Sequence, residues 1–154
     1  LGDGCPSLCG WGNNEWQVYA KSNVITVNNQ LVISATKHVD NYYSGRITTK
    51  DKFEFTYGTI EVKAQLPKGK GLWPAIWMLG YDIDSNTWPA CGEIDIMEYV
   101  GKSPGEIHTT LHTPESYGQS FNTQITSIDS IEELSLIHTP SPRDRTRSRM
   151  PSSA

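Results

Sequence analysis

The chain has 154 residues, which falls short of the roughly 200–250 that a single-domain β-sandwich can reach. Its 13 Lys and Arg stand against 17 Asp and Glu for a formal charge of −4, and 36% hydrophobic with 19% charged residues is the composition of a soluble globular protein. No apolar run approaches the roughly 18 residues of a membrane span, and an acidic balance argues against a phosphate-backbone partner, so neither a membrane nor a nucleic-acid role is expected.

In chain order, residues 1–20 are rich in Gly, Asn and Trp and read as a loop-like entry. The chain begins at Leu1 without a basic or apolar leader, so a signal peptide is read as cleaved or as lying outside this fragment. Cys5 and Cys9 are close enough for a small-loop disulfide and, with no His or second Cys pair nearby, suit a disulfide or free thiols better than zinc; Cys91 makes the set odd. Val24 to Val27 and Leu31 to Ala35 flank Asn28-Asn-Gln30, which suits a tight hairpin because Asn tolerates left-handed backbone. From Thr59 to Leu66 the alternation is strict: Ile60, Val62, Ala64 and Leu66 face one way and Thr59, Glu61, Lys63 and Gln65 the other, the pattern of a half-buried antiparallel strand. Pro67-Lys-Gly-Lys-Gly71 is a turn, and Leu72 to Leu79 is too apolar and too Pro-interrupted for a surface helix. Gly92 to Val100 and Glu106 to His112 are two more strands joined through Ser103-Pro-Gly105, and Asn122 to Glu133 offers another. With no sustained helical period and about seven or eight short strands before residue 112, the pattern is that of an all-β sandwich.

The chemistry concentrates in Gly92-Glu-Ile-Asp-Ile-Met-Glu-Tyr-Val-Gly101. In a regular strand Glu93 and Asp95 share a face while Glu98, at odd spacing from both, points to the other. Either Glu98 is an ordinary outward charge, or a β-bulge near Ile96-Met97 swings it onto the face of Glu93 and Asp95. The second arrangement lines three acids along one groove, from which retaining glycoside hydrolysis draws a nucleophile and an acid/base about 5–5.5 Å apart. A strand with spaced acids is otherwise a solvated face, and clustered acids can hold Ca²⁺. Trp73, Trp77, Trp88 and Tyr99 crowd the same region, and aromatic faces stack on sugar rings, so the set as a whole favours a sugar cleft over separate core packing.

Glu93-Ile-Asp-Ile-Met-Glu98 resembles the catalytic signature of glycoside hydrolase family 16, in the bulged form of laminarinase-type endo-β-1,3-glucanases rather than the one-residue-shorter form of lichenases. The resemblance runs through Gly10-Trp-Gly-Asn-Asn-Glu15, Ser44-Gly-Arg-Ile-Thr-Thr-Lys50, Tyr57-Gly-Thr-Ile-Glu61, Leu66-Pro-Lys-Gly69, Gly71 to Gly80 and Trp88-Pro-Ala-Cys-Gly-Glu93. It implies an all-β fold, a β-sandwich jelly roll of the concanavalin A-like class, here incomplete at its C-terminus, with residues 1–133 the N-terminal part of the catalytic domain. It also implies Glu93 as nucleophile, Glu98 as acid/base and Asp95 as the residue that tunes them. Trp73, Trp77 and Trp88 would line substrate subsites, Asn14 and Arg46 would bind sugar hydroxyls, and His112 would face the acid/base from the neighbouring strand. His38 and His108 receive no role. The implied enzyme needs no cofactor for catalysis, allows a structural Ca²⁺ in the complete domain, acts on a β-1,3-glucan polysaccharide, and is a secreted or extracytoplasmic monomer at full length.

The likeness ends near Glu133. All 15 aromatic residues lie between Trp11 and Phe121, whereas four of the five arginines fall in the last twelve residues, so that residues 1–133 carry −7. Leu134-Ser-Leu-Ile-His138 and Arg147 to Ala154 resemble translated sequencing-library adapter, and 134–154 is read as a non-native or disordered tail; residues 1–154 alone are expected to be inactive. Two other functions compete with the enzyme reading. A non-catalytic β-glucan-recognition protein typically lacks one of the acids, and all three are present. A hydrolase of agarose or carrageenan shares the signature, but sulfated substrates favour basic residues in the cleft, and residues 1–133 hold a single Arg.

Overall fold

The structure, a computed structural model, describes residues 2–118 and 122–129 together with the backbone of 137–139. Among the described residues all regular elements are strands, apart from short 3-10 turns, as the period-two pattern and the density of Gly, Pro and Asn require. The chain divides into two compact units, Leu1–Lys52 and Phe53–Ala154.

In the first unit, β1 (Gln17–Tyr19) is followed by a hairpin of β2 (Val24–Val27) and β3 (Gln30–Ile33), then by β4 (Thr36–His38) and β5 (Asn41–Ser44). Asn28 and Asn29 take φ of 48° and 60°, the left-handed pair that a two-residue hairpin turn needs. β5 is the central strand of a three-stranded sheet, parallel to β1 and antiparallel to β4. Buried Asn23 ties the hairpin down, its side-chain amide donating to the Ser34 carbonyl at 2.9 Å and the Thr36 hydroxyl at 3.0 Å. Cys5 and Cys9 form a disulfide, leaving Cys91 as a free thiol.

The second unit holds β6 (Ile60–Val62), β7 (Ala75–Leu79), β8 (Glu93–Glu98), β9 (Glu106–His112), β10 (Thr123–Ser127) and β11 (Ile137–Thr139). Strands β7 to β10 form an antiparallel sheet in the order β10-β9-β8-β7, and β11, which falls in the segment 134–154, pairs antiparallel with β6. The alternation from Thr59 to Leu66 is realised residue by residue, with Ile60, Val62, Ala64 and Leu66 turned inward and the residues between them exposed. Leu66 packs with Met97, Tyr99 and Ile107 into the core, joined by Ala64, Ile76 and Ile128. Full burial of such side chains contributes roughly 1.5–3 kcal/mol each.

Backbone contacts help to pin the chain at the end of β8. Gly101 N–H donates to the Leu72 carbonyl at 2.9 Å and Tyr99 N–H to the Pro74 carbonyl at 3.1 Å. A Cβ on Gly101 would lie 1.8 Å from the Gly69 carbonyl oxygen, so only glycine lets the two turns meet. This contact aligns the segment carrying Trp73 with the C-terminal end of β8.

Candidate active site

On β8 the register steps from Asp95, opposite Thr110, to Glu98, opposite His108: three residues against two on β9. On the other side, Ile76 and Trp77 of β7 face Met97 and Asp95, so that β8 again carries one residue too many. Both neighbours therefore place a β-bulge at Ile96-Met97, and the bulge reverses the facing of everything beyond it. Before it, Glu93 and Asp95 face the cleft and Ile94 faces away. After it, Glu98 faces the cleft while Met97 and Tyr99, each about 1% exposed, enter the core. The three acids thus share one face with Glu106, His108, Thr110 and His112 of β9.

Each outer acid receives an indole N–H. Trp73 Nε1 donates to Glu98 Oε1 at 3.1 Å, and Trp88 Nε1 donates to Glu93 Oε2 at 2.5 Å. Both rings remain about half exposed, at 51% and 41%. Trp77 is opposite Asp95 in the register, between them. Trp88 is delivered by a run of turns after β7: Asn86 N–H to the Asp82 carbonyl at 2.7 Å, Ala90 to Thr87 at 2.8 Å and Gly92 to Pro89 at 3.0 Å. The loop closes where a Cβ on Gly80 would come within 2.1 Å of the Cys91 carbonyl oxygen.

Asp95, 3% exposed, lies between the two glutamates, with its Oδ2 3.1 Å from His112 Nε2. Burial, then the charges of Glu93 and Glu98 and a hydrogen bond shared with Glu93, push its carboxyl up to about 8. Burial also raises Glu98, against the downward pull of the Trp73 N–H and of His112 and His108. Three carboxyl groups in so little water do not all ionise, and at neutral pH the cluster retains a proton that can be donated.

Of the residues singled out in the sequence, Glu93, Asp95, Glu98, Trp73, Trp77, Trp88 and His112 are brought together on this sheet and its loops. His112 stands opposite Glu93 in the register, and its direct partner is Asp95. Asn14 and Arg46 belong to the first unit. Asn14 is exposed with φ of 55°, and the Arg46 guanidinium lies over the rings of Trp11 at 4.7 Å and Tyr19 at 5.8 Å. Glu15, to which the sequence pattern assigns no role, gathers Gln17 Nε2 at 2.6 Å and the Tyr19 hydroxyl at 2.7 Å beside them. Tyr117 is likewise unmarked in the sequence; it packs edge-on against Trp88 at 5.4 Å, from a loop with no pattern to single it out. Among the described residues no group of three or more His, Cys, Asp or Glu is arranged to hold a metal ion.

Compared with known proteins, residues 12–133 match the family described as Glycosyl hydrolases family 16. The chain is 42% identical over 123 residues to a beta-glucanase of Rhodothermus marinus, covering 75% of this chain and 43% of that protein. It is 42% identical over 119 residues to glucan endo-1,3-beta-glucosidase A1 of Niallia circulans, covering 70% of this chain and 17% of that one. The crystal structure of laminarinase from Flavobacterium sp. UMI-01 matches with a TM-score of 0.83 at 57% identity, over 86% of this chain and 57% of that one. The chain therefore spans less than two thirds of the length of each of these relatives. Its fold class is that of the solved relatives, a β-sandwich jelly roll.

Proposed function

The chain belongs to glycoside hydrolase family 16, and from that we propose that the complete domain is a retaining endo-glycosidase that hydrolyses β-1,3-glucosidic bonds in laminarin or a mixed-linkage β-glucan. The observation that carries this reading is the bulge in β8, which puts Glu93, Asp95 and Glu98 on one cleft face with an indole N–H on each outer acid. Glu93, with Trp88 N–H and Asp95 both bonded to it, is suited to be the anionic nucleophile. Glu98, raised by burial, is suited to arrive protonated. In the first step the Glu93 carboxylate attacks the anomeric carbon as the glycosidic C–O bond breaks, and the Glu98 proton goes to the leaving oxygen. In the second, the Glu98 carboxylate takes a proton from water, whose oxygen displaces Glu93 and regenerates both groups.

The half-exposed faces of Trp73 and Trp88 offer stacking surfaces for glucose rings, and His112 steadies Asp95. Asn14 and Arg46 are proposed to bind sugar hydroxyls, as the family resemblance implies. The Cys5–Cys9 disulfide fits a secreted or extracytoplasmic setting. The tail 134–154 is proposed to be foreign to the domain, supported by the family match stopping at residue 133. The test uses the catalytic domain built out to the length of its solved relatives, with residues 1–133 as its N-terminal part. It should release oligosaccharides from laminarin whose first-formed reducing ends are β-anomers by proton NMR. Glu93→Gln and Glu98→Gln should each lower kcat/KM on the order of 10³-fold. First-formed α-anomers, or full activity in Glu93→Gln, would refute the assignment.

A further inference from the structure

β9 places two histidines on the cleft face, and the mechanism above uses only His112. His108 lies four residues earlier, directly across from Glu98 in the β8–β9 register. Two residues before it, on the same face, stands Glu106, whose Oε2 is 3.6 Å from His108 Nε2. That nitrogen is buried and has no hydrogen-bond partner. From β10 the residues opposite are Thr123, Ile125 and Ser127, none of which titrates. The titratable groups around His108 are thus Glu98 and Asp95 on β8 and Glu106 and His112 on β9. The imidazole thus stands between two carboxyl groups, one across the strand register and one along its own strand.

We propose that His108, steadied by Glu106, is a positioning residue for Glu98, holding the carboxylate that Glu98 becomes once its proton has gone to the leaving oxygen. The proposal rests on the reading of Glu98 as the acid/base. His108 exchanges no proton with the substrate: Glu98 gives its proton in the first step and recovers one from water in the second, and the imidazolium offsets the charge present between the two. The downward pull of His108 on the Glu98 carboxyl, working against burial, is in the direction this role requires.

The test is made in the same built-out domain. Without the imidazolium, the Glu98 carboxyl followed by carbon-13 NMR should titrate about half a pH unit or more higher in His108→Gln. The basic limb of kcat/KM should move with it. His108→Arg, which keeps the charge, should return both toward the parent. The coupling is reciprocal, so the His108 ring protons should titrate at lower pH in Glu98→Gln and in Glu106→Gln than in the parent, a reading available even if His108→Gln does not fold. An unmoved Glu98 titration would overturn the proposal, as would a kcat loss equal at all pH values and not rescued by Arg, the mark of simple packing. The NMR titration needs no turnover. A domain that hydrolyses no glucan would sink the proposed function, yet the pull of His108 on Glu98 would still be measurable.

Discussion

Asp95 concentrates the electrostatic conflict of the site, since it is the most buried of the three acids and both neighbours carry the same charge. Its carboxyl is pushed from an ordinary value near 4 to about 8, so between those values the folded chain holds a proton that the unfolded chain releases. The sign follows: the contribution of Asp95 to stability is fully present below about pH 4 and is lost as pH rises to about 8. Asp95→Asn removes that loss. Its Tm relative to the parent should therefore climb between pH 4 and pH 8, by roughly 2–4 °C for each kcal/mol relieved, while laminarin hydrolysis falls because Glu93 loses a tuned partner. Parallel Tm curves for the two proteins across that range would contradict the assignment of the proton. The spacing of Glu93, Asp95 and Glu98 was legible in the sequence because three acids on an apolar strand are conspicuous. His108 was not, because a histidine two residues from a glutamate on an alternating strand looks the same whether it faces water or a carboxyl group on the next strand.

Within β8 one strand read alone left two arrangements open, and only the partners decide between them: a bulge is a relation between strands, visible when Asp95 and Glu98 are matched to Thr110 and His108. The alternation from Thr59 to Leu66 needed no such help, since its inward residues have a core to meet. Because the bulge absorbs an odd spacing, removing or adding one residue at Ile96-Met97 makes it unnecessary, yet the two changes leave Glu98 at different places along β9. Deleting Ile96 restores regular alternation, with Glu93, Asp95 and Glu98 still on the cleft face and Met97 and Tyr99 still in the core. Inserting one alanine between Ile96 and Met97 also makes the spacing even, but it carries Glu98 two residues along β9, from His108 to Glu106, away from Glu93 and against a like charge. In the built-out domain the deletion should keep at least tenfold more laminarin hydrolysis than Glu98→Gln, despite the lost packing of Ile96. The insertion should abolish activity and lower Tm sharply. Equal activity in the two length variants would show that the register of Glu98 against β9 does not govern the site.

Across the molecule, composition and turn signals were enough to identify an all-β chain of short strands, but not which strands are neighbours. The parallel pairing of β1 with β5 brings together segments more than twenty residues apart and leaves no mark in local sequence. Large apolar side chains stay open to solvent in both units: Ile25, Val27, Leu31 and Ile33 on the hairpin, and Phe53 and Phe55 at the start of the second unit. Surfaces of that kind are normally covered or associate. Residues 1–154 alone should bind the dye ANS and self-associate in sedimentation velocity, whereas the domain of relatives' length should do neither; a monomeric 154-residue chain that ignores the dye would contradict this. Two of the five tryptophans have a further significance. Indole emission responds to the protonation of a hydrogen-bonded carboxyl group, and Trp73 and Trp88 donate to Glu98 and Glu93 while remaining about half exposed. The site thus carries a built-in optical reporter: the emission of Trp73 and Trp88 is expected to follow the charge state of Glu98 and Glu93, read as a pH titration of fluorescence.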